Sequence, residues 1–307
     1  MNQSLKYLTV VGVTGVLAAC GGDGSSSAGE TGSISVGLTD APVDSAQEVN
    51  IEITALVLQP SDGERSRFEL EFPEPINLLD LQGGAFETLI SDEDVPAGRY
   101  NWMRIELGDN NTVVISNEEV AGGTYPLTTP SARGVQTSGF TVPAGGEVSF
   151  TIDFDVRKSL VNPVGQDGYK LKPVLRLVDN SEVGKIKGTV VGELITQECG
   201  DALTPDFAGN VYVHADTSLA PDDIGSANEP LVVAPVEQNG DYTYVAAFIP
   251  AGDYRVSYTC GNDLIENDQG EPSDDDINFV ASETAPDPVI VEANQTTTED
   301  FEIQAQP

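Results

Sequence analysis

The sequence predicts an all-β protein: two antiparallel β-sandwiches, of immunoglobulin or transthyretin type, behind a leader and a flexible tether. Three observations point there. Short segments alternate apolar and polar residues with a period of two, and long helical patterns are absent. The 31 Gly and 19 Pro punctuate the chain often enough to turn it back repeatedly. At 307 residues and 39% hydrophobic, the chain is long enough for about two domains with packed cores.

Residues 1–19 read as an export leader. Lys6 and the amino terminus give a weakly positive start, and "YLTVVGVTGVLAA" is an apolar run too short for a comfortable span. The run ends in "LAAC", which resembles the lipobox of bacterial lipoproteins. That resemblance implies cleavage before Cys20, diacylglycerylation of its thiol and acylation of its new amino group. Three acyl chains bury far more apolar surface than the single chain that anchors only marginally. With Gly21 and no Asp after the cysteine, the sorting rule of such lipoproteins implies the outer membrane of a Gram-negative bacterium, facing periplasm or cell surface. The plainer alternative is an ordinary secretory leader with an incidental cysteine. Residues 20–32 then hold the cysteine and a Gly/Ser-rich tether, a random coil reaching about 20 Å.

If Cys20 carries lipid, Cys199 and Cys260 remain as an even pair in a compartment that permits disulfides. A bridge between them would close a loop of about 60 residues and restrict the unfolded chain by about 4 kcal/mol. Two buried thiols are the alternative.

Residues 33–180 form the first sandwich. "SISVGLTD" places Ile34, Val36 and Leu38 on one face; "VNIEI" does so with Val49, Ile51 and Ile53. Leu56 and Leu58 fall on the opposite parity, so a bulge or break is expected near Thr54 and Ala55. "NWMRIEL" faces Met103, Ile105 and Leu107 one way, and "VSFTIDFDV" alternates Phe150, Ile152 and Phe154 against Thr151, Asp153 and Asp155. A phrase recurs as structural punctuation before strands: "VPAGRY" (95–100), "VPAGGEV" (142–148) and "IPAGDYRVSY" (249–258). "DNSEVGKIKGTV" marks the junction with residues 181–307, where about seven more short strands follow. The charge shifts there too: residues 33–180 carry 10 bases and 23 acids, residues 181–307 carry 3 and 25.

The segments "GLTDAPVDSAQEVNIEI" (37–53), "VPAGRYNWMRIEL" (95–107) and "IDFDVRKSLVNPVGQDGYKLKPVLRLV" (152–178) resemble a bacterial lipoprotein family known as domain of unknown function 4382. The resemblance implies an exported, lipid-anchored β-sandwich and no established activity. "GKIKGTVV" (184–191), "NVYVHAD" (210–216) and "YTYVAAFIPAGDYRVSY" (242–258) are similar to the transthyretin-like, carboxypeptidase-regulatory sandwich. Modules of that kind support, space or bind.

The net charge of −36 repels phosphate backbones, so nucleic acid is not an expected partner. No HExxH, GxSxG, Walker A or GxGxxG occurs, and the one histidine, His214, reads as solvated or sheet-facing. No cofactor is implied with certainty. "CGNDLIENDQGEPSDDDINF" crowds Asp263, Glu266, Asp268, Asp274, Asp275 and Asp276 into one loop. It is either a solvated acidic loop or a calcium site, since calcium takes 6–8 oxygen ligands. A second set, Asp40, Asp44, Arg104, Asp153, Asp155, Arg157 and Lys158, reads either as an ion-pair ladder across strands or as a ligand site on one face.

The sequence therefore predicts a lipid-anchored envelope protein, not an enzyme: a binding or adhesion module whose ligand the sequence does not name, an envelope protein or a polysaccharide being the candidates, or a structural module. The alternative is an accessory protein for polysaccharide capture or hydrolysis, including weak glycosidase chemistry, which needs two facing acids. Trp102 is the single tryptophan, and since sugar-binding clefts usually stack on aromatics, 7% aromatics is a weak argument against that alternative.

Overall fold

A computed structural model describes residues 30–40, 46–72, 74–115, 123–129, 135–161, 168–205, 207–261, 263 and 277–303. The leader, Cys20 and most of the tether lie outside these residues. The described chain is all-β apart from short helical turns and one longer helix, Gly192–Cys199, which the strand-by-strand reading misses.

In the first half, one sheet runs in the order Leu175–Asp179, Glu147–Phe154, Thr31–Asp40, Glu87–Pro96. A second runs Val135–Gln136, Gly98–Leu107, Ile53–Pro60, Ser66–Glu69, with Phe140–Val142 also on Gly98–Leu107. The alternating residues read from the sequence do line one core: Ile34, Val36, Leu38, Leu56, Leu58, Met103, Ile105, Phe150, Ile152 and Phe154 are all buried in it. The parity change after Ile53 is absorbed as expected. The chain breaks between the Glu48–Ile51 and Ile53–Pro60 strands, and the pairing with Gly98–Leu107 shifts register between Ile53 and Ala55. A third sheet of six short strands, which holds Glu48–Ile51, closes this core.

The second half builds its own core from residues 186–301. One sheet runs Glu237–Gln238, Tyr242–Pro250, Val183–Thr189, Thr296–Thr298. The other runs Val232–Pro235, Asn210–His214, Gly252–Thr259, Val280–Ala281, with Val289–Val291 on Gly252–Thr259. Cys199, at the end of the helix, is bonded to Cys260, with 5.0 Å between their Cα atoms. Tyr258 Oη lies 3.2 Å and 3.1 Å from the two sulfurs and donates to Ala208 O at 2.8 Å.

The recurring turn phrase has a mechanism. Tyr100 donates its hydroxyl to Pro96 O at 2.7 Å, and Tyr254 donates to Pro250 O at 2.8 Å. In P-A-G-x-Y, the ring is buried and the hydroxyl satisfies the proline carbonyl four residues back, a tyrosine corner. The neighbouring alanine completes the tie in both halves. Ala97 N–H donates to Glu30 O at 2.7 Å, and Ala251 N–H to Glu182 O at 3.0 Å, each just ahead of its half's first strand.

The likeness extends further. Thr31–Asp40 pairs antiparallel with Glu87–Pro96 and parallel with Glu147–Phe154; Val183–Thr189 pairs antiparallel with Tyr242–Pro250 and parallel with Thr296–Thr298. Tyr100 lies opposite Phe140 and Gly98 opposite Val142, as Tyr254 lies opposite Val289 and Gly252 opposite Val291. Gly145 (φ 64°) and Asn294 (φ 59°) turn the chain into the parallel strand. Their N–H groups donate to Thr31 O and Val183 O, both at 2.7 Å. Gly32 and Gly184 make this approach feasible: a Cβ would stand 2.8 Å from Gly146 O in one and 2.9 Å from Gln295 O in the other. These two parallel pairings, and a third between Tyr169–Leu171 and Gly123–Thr128 in the six-stranded sheet, depart from the purely antiparallel expectation; the first two occur at the same place in both cores.

Candidate functional site

Of the polar residues selected from the sequence, Asp40, Asp153, Asp155, Arg157 and Lys158 converge where the two cores meet. The Glu147–Phe154 strand ends on buried Phe154, and the chain enters a single helical turn, Val156–Ser159. Asp155 caps it, accepting Lys158 N–H at 3.0 Å. Asp40, at the end of the adjacent strand, accepts Val156 N–H through Oδ1 at 3.2 Å. These carboxylates take N–H groups that have no acceptor within the turn. The turn is thereby held so that Arg157 and Lys158 project into the second half.

Arg157 is 3% exposed. Its Nη1 donates to Tyr212 Oη at 3.0 Å and to Asp263 Oδ2 at 3.2 Å. Tyr212 donates to the same Asp263 oxygen at 2.7 Å, and Ile224 N–H approaches it at 3.4 Å. Lys158 Nζ lies 2.8 Å from Glu229 Oε1. Burial pushes the Tyr212 phenol far above its ordinary range, Arg157 opposing and Asp263 adding to the shift. Burial also raises the Asp155 carboxyl, against the Lys158 N–H bond and charge.

Backbone packs against backbone beside this cluster. Gly84 (φ 86°) lies so close to the Tyr242–Pro250 strand that a Cβ would sit 3.1 Å from Ala247 Cβ. Thr39, Asp40, Asp153 and Asp155 enclose, with Val232, Val233 and Phe248, a cavity of about 40 Å³. That is room for about one water, far below the volume of an organic-ligand pocket. The arrangement is a joint. A wider groove of about 410 Å³ lies beside it, and its carboxylates, Asp80 and Glu237, are exposed.

The expected ladder takes a different form. Asp153 pairs with Arg176, Nη2 at 2.7 Å and Nε at 3.0 Å, because Arg176 is the residue opposite it in register. Arg157 lies past the end of that strand, and Arg104 stands on the other sheet, so neither joins Asp153. Asp44 lies outside the described residues. Arg176 was legible in principle, since it alternates with Leu175 and Leu177. Tyr212, the bridge of the joint, carries no sequence signal beyond its parity.

Of the proposed calcium ligands, Asp263 is committed to Arg157 and Tyr212, and the other five lie outside the described residues. Among the described residues, no group of three or more His, Cys, Asp or Glu is placed to hold a metal. His214 is fully buried rather than solvated. Nε2 lies 2.8 Å from Asp222 O and 3.2 Å from Asp222 N, and the ring lies edge-on to Phe279 and stacked with Tyr212. The burial lowers its pKa, the Asp222 backbone opposing. The sequence could not foresee this cover because it comes from segments distant along the chain.

Arg104 belongs to a separate surface. Its guanidinium lies 4.2 Å over the Trp102 ring, with that of Arg65 at 5.3 Å. Both are cation–π distances.

With this geometry in hand, the comparisons fall into place along the chain. Residues 31–173 match the domain of unknown function (DUF4382). The DUF4382 stretch covers the first core, including the Val156–Ser159 turn that carries Arg157 into the joint, and amounts to just under half of the chain. No curated protein matches. Among solved structures, the Bacillus anthracis TIE protein is similar at 11% identity and a TM-score of 0.19, over 89% of this chain. The chain spans about a third of that protein's length, 34%. BcpA, the major pilin subunit of Bacillus cereus, is similar at 12% identity and a TM-score of 0.20, over 89% of this chain and 99% of BcpA.

Proposed function

We propose that the protein is a lipid-anchored, non-enzymatic binding module of the cell envelope. In this reading Cys20 is the acylated residue, residues 20–32 are the tether, and residues 33–180 and 181–307 are two sandwiches, the second transthyretin-like. Gly21 after the cysteine favours the outer membrane. The observation that supports the non-enzymatic part is the joint: Arg157, Tyr212 and Asp263 are buried and spend charge and hydrogen bonds on one another, and the carboxylates of the groove beside it, Asp80 and Glu237, are exposed.

Metabolic labelling with palmitate tests the anchor. Label is expected in the intact chain and not in a Cys20→Ser variant; equal labelling of both would sink it. Capture of envelope polysaccharides and envelope proteins by the purified chain tests the binding role, and turnover of any polysaccharide would overturn the non-enzymatic reading. Trp102 with two arginines at cation–π distance favours polysaccharide capture as the more specific form of this function.

A further inference from the structure

The Gly98–Leu107 and Ile53–Pro60 strands turn Met103, Ile105, Leu56 and Leu58 into the core. The opposite face carries Trp102 across from Gln59, and Arg104 between Val57 and Gln136. Four of the described bases lie at ion-pair distance from a described carboxylate: Arg67 from Glu69 and Glu106, Arg157 from Asp263, Lys158 from Asp155 and Glu229, and Arg176 from Asp153. Arg65 and Arg104 are not among them. Among the described residues neither has a carboxylate at ion-pair distance; Arg65 Nε donates to Gln59 Oε1 at 2.7 Å, and Arg104 Nη2 to Gln136 Oε1 at 3.1 Å. Arg104 Nε is covered and makes no hydrogen bond. In a chain with 50 acids and 14 bases, two guanidiniums are thus held by amides and by the one tryptophan, with donors to spare.

We propose that this face binds an acidic polysaccharide of the uronate class, its carboxylates on Arg65 and Arg104 and a sugar ring against Trp102. The proposal deepens the polysaccharide-capture reading and rests on it. A guanidinium fork matches a carboxylate in two parallel bonds, and it is the least hydrated cation a chain can offer for that purpose. Gln59 is tied down, its Nε2 donating to Pro60 O at 2.9 Å while its Oε1 accepts from Arg65; exposed Gln136, whose Oε1 accepts from Arg104, presents its amide donors to a neighbouring hydroxyl. A Trp beside Arg could also anchor a protein contact, but a stable one surrounds that anchor with a buried, largely apolar core. The large exposed apolar side chains, Phe86, Val174, Val191, Leu219, Ile290 and Ile303, all lie off these strands. The net charge of −36 opposes any polyanion at a distance. That repulsion is screened beyond about 8 Å at physiological salt, so recognition is by contact and not by steering.

The single tryptophan makes the test site-specific. The purified full-length protein is titrated at physiological salt with oligogalacturonate while Trp102 emission is followed. A saturable change is expected, with none from a neutral oligosaccharide of equal length. Arg65→Gln and Arg104→Gln are each expected to weaken binding about tenfold or more. Lys185→Gln, an equal charge change at an exposed site in the second half, is expected to shift it less than about twofold. Arg65 is exposed, so its variant carries the test if Arg104→Gln fails to fold. A silent Trp102, or affinity unchanged in Arg65→Gln, overturns the proposal. An equal response to poly-glutamate overturns it in favour of an acidic protein segment. Polysaccharide capture by a protein whose Trp102 stays silent removes this site alone; no capture of any polysaccharide removes the reading beneath it as well.

Discussion

Replacing Arg157 with Met tests whether the joint couples the two cores. The substitution keeps most of the apolar stem and deletes the charge. Asp263 would then keep Tyr212 Oη at 2.7 Å and Ile224 N–H at 3.4 Å as donors, while 4% exposed. A carboxylate stripped of its buried cation costs about 3–5 kcal/mol, whether it stays charged or takes up a proton. Against a typical net stability of about 5–15 kcal/mol, that is enough to uncouple the halves. Asp263→Asn leaves the guanidinium buried instead and is expected to cost a similar amount. The double variant Arg157→Met/Asp263→Asn removes both charges and keeps an acceptor for the Tyr212 hydroxyl. Its loss is expected to fall short of the summed single losses by about 2–3 kcal/mol, as for residues in direct contact. Urea unfolding gives the assay with two built-in probes. Trp102 reports the first half alone, and five of the nine tyrosines, Tyr212, Tyr242, Tyr244, Tyr254 and Tyr258, lie in the second. The two signals should coincide in the native chain and separate in Arg157→Met. A coupling energy within about 0.5 kcal/mol of zero, the range of distant sites, would refute the reasoning.

Further expectations concern single features. Tyr100→Phe and Tyr254→Phe each delete one corner hydrogen bond and strand a proline carbonyl, for a loss of about 1 kcal/mol in urea titrations; a loss in only one would break the equivalence of the corners. Cys199→Ser/Cys260→Ser frees a loop with a sequence separation of 61, and the chain-entropy relation gives a loss of about 4 kcal/mol, carried by the tyrosine probe. His214, lowered by burial, is neutral in both folded and unfolded chains above its ordinary value. As pH falls below about 6.5 the unfolded chain binds the proton first, so stability declines until the folded value is passed, with a slope of at most about 1.4 kcal/mol per pH unit. With one histidine in the chain, His214→Gln should flatten that limb, and an unchanged limb would remove the assignment. Asp155 is raised by burial, so its charged form weighs against the fold at neutral pH. Asp155→Asn keeps a capping oxygen and should raise the melting temperature at pH 7, with the gain fading as pH falls through the raised native value and gone below about 4, where folded and unfolded carboxyls are both protonated.

Strand identity and core membership were legible because they rest on local alternation. Ile34, Val36, Leu38, Met103 and Ile105 declare their face within a few residues, and even the slip at Thr54 shows as a parity change. Partners were not legible. Asp153 carries nothing in its own segment that selects Arg176, and only the register brings the two together, whereas Arg104 reaches Trp102 locally, two residues away on the same strand. Arg157 reads as one more polar residue after an amphipathic strand; its partners Tyr212 and Asp263 lie 55 and 106 residues on. Where a side chain finds its partner that far along the chain, composition and spacing contain no term for it. The same reason hid the cover over His214.

The two corners permit one more step. A turn phrase repeated at 96–100 and 250–254 is weak as sequence, since Pro, Gly and Tyr recur before strands for general reasons. It becomes strong when each copy brings the same hydrogen bond, the same tie to the strand ahead, the same opposed valine, and the same left-handed turn into a parallel strand. Four independent geometric coincidences at matched positions mean that one core design occurs twice. The parts that differ between the copies are then the parts that need a reason. In the first half they are the six-stranded sheet and the Trp102 face; in the second they are the disulfide-held helix and the polar layer of Tyr212, His214 and Asp263. That polar layer already meets Arg157, so its reason is the joint. The Trp102 face meets nothing among the described residues, which makes it the surface on which a search for the ligand should begin.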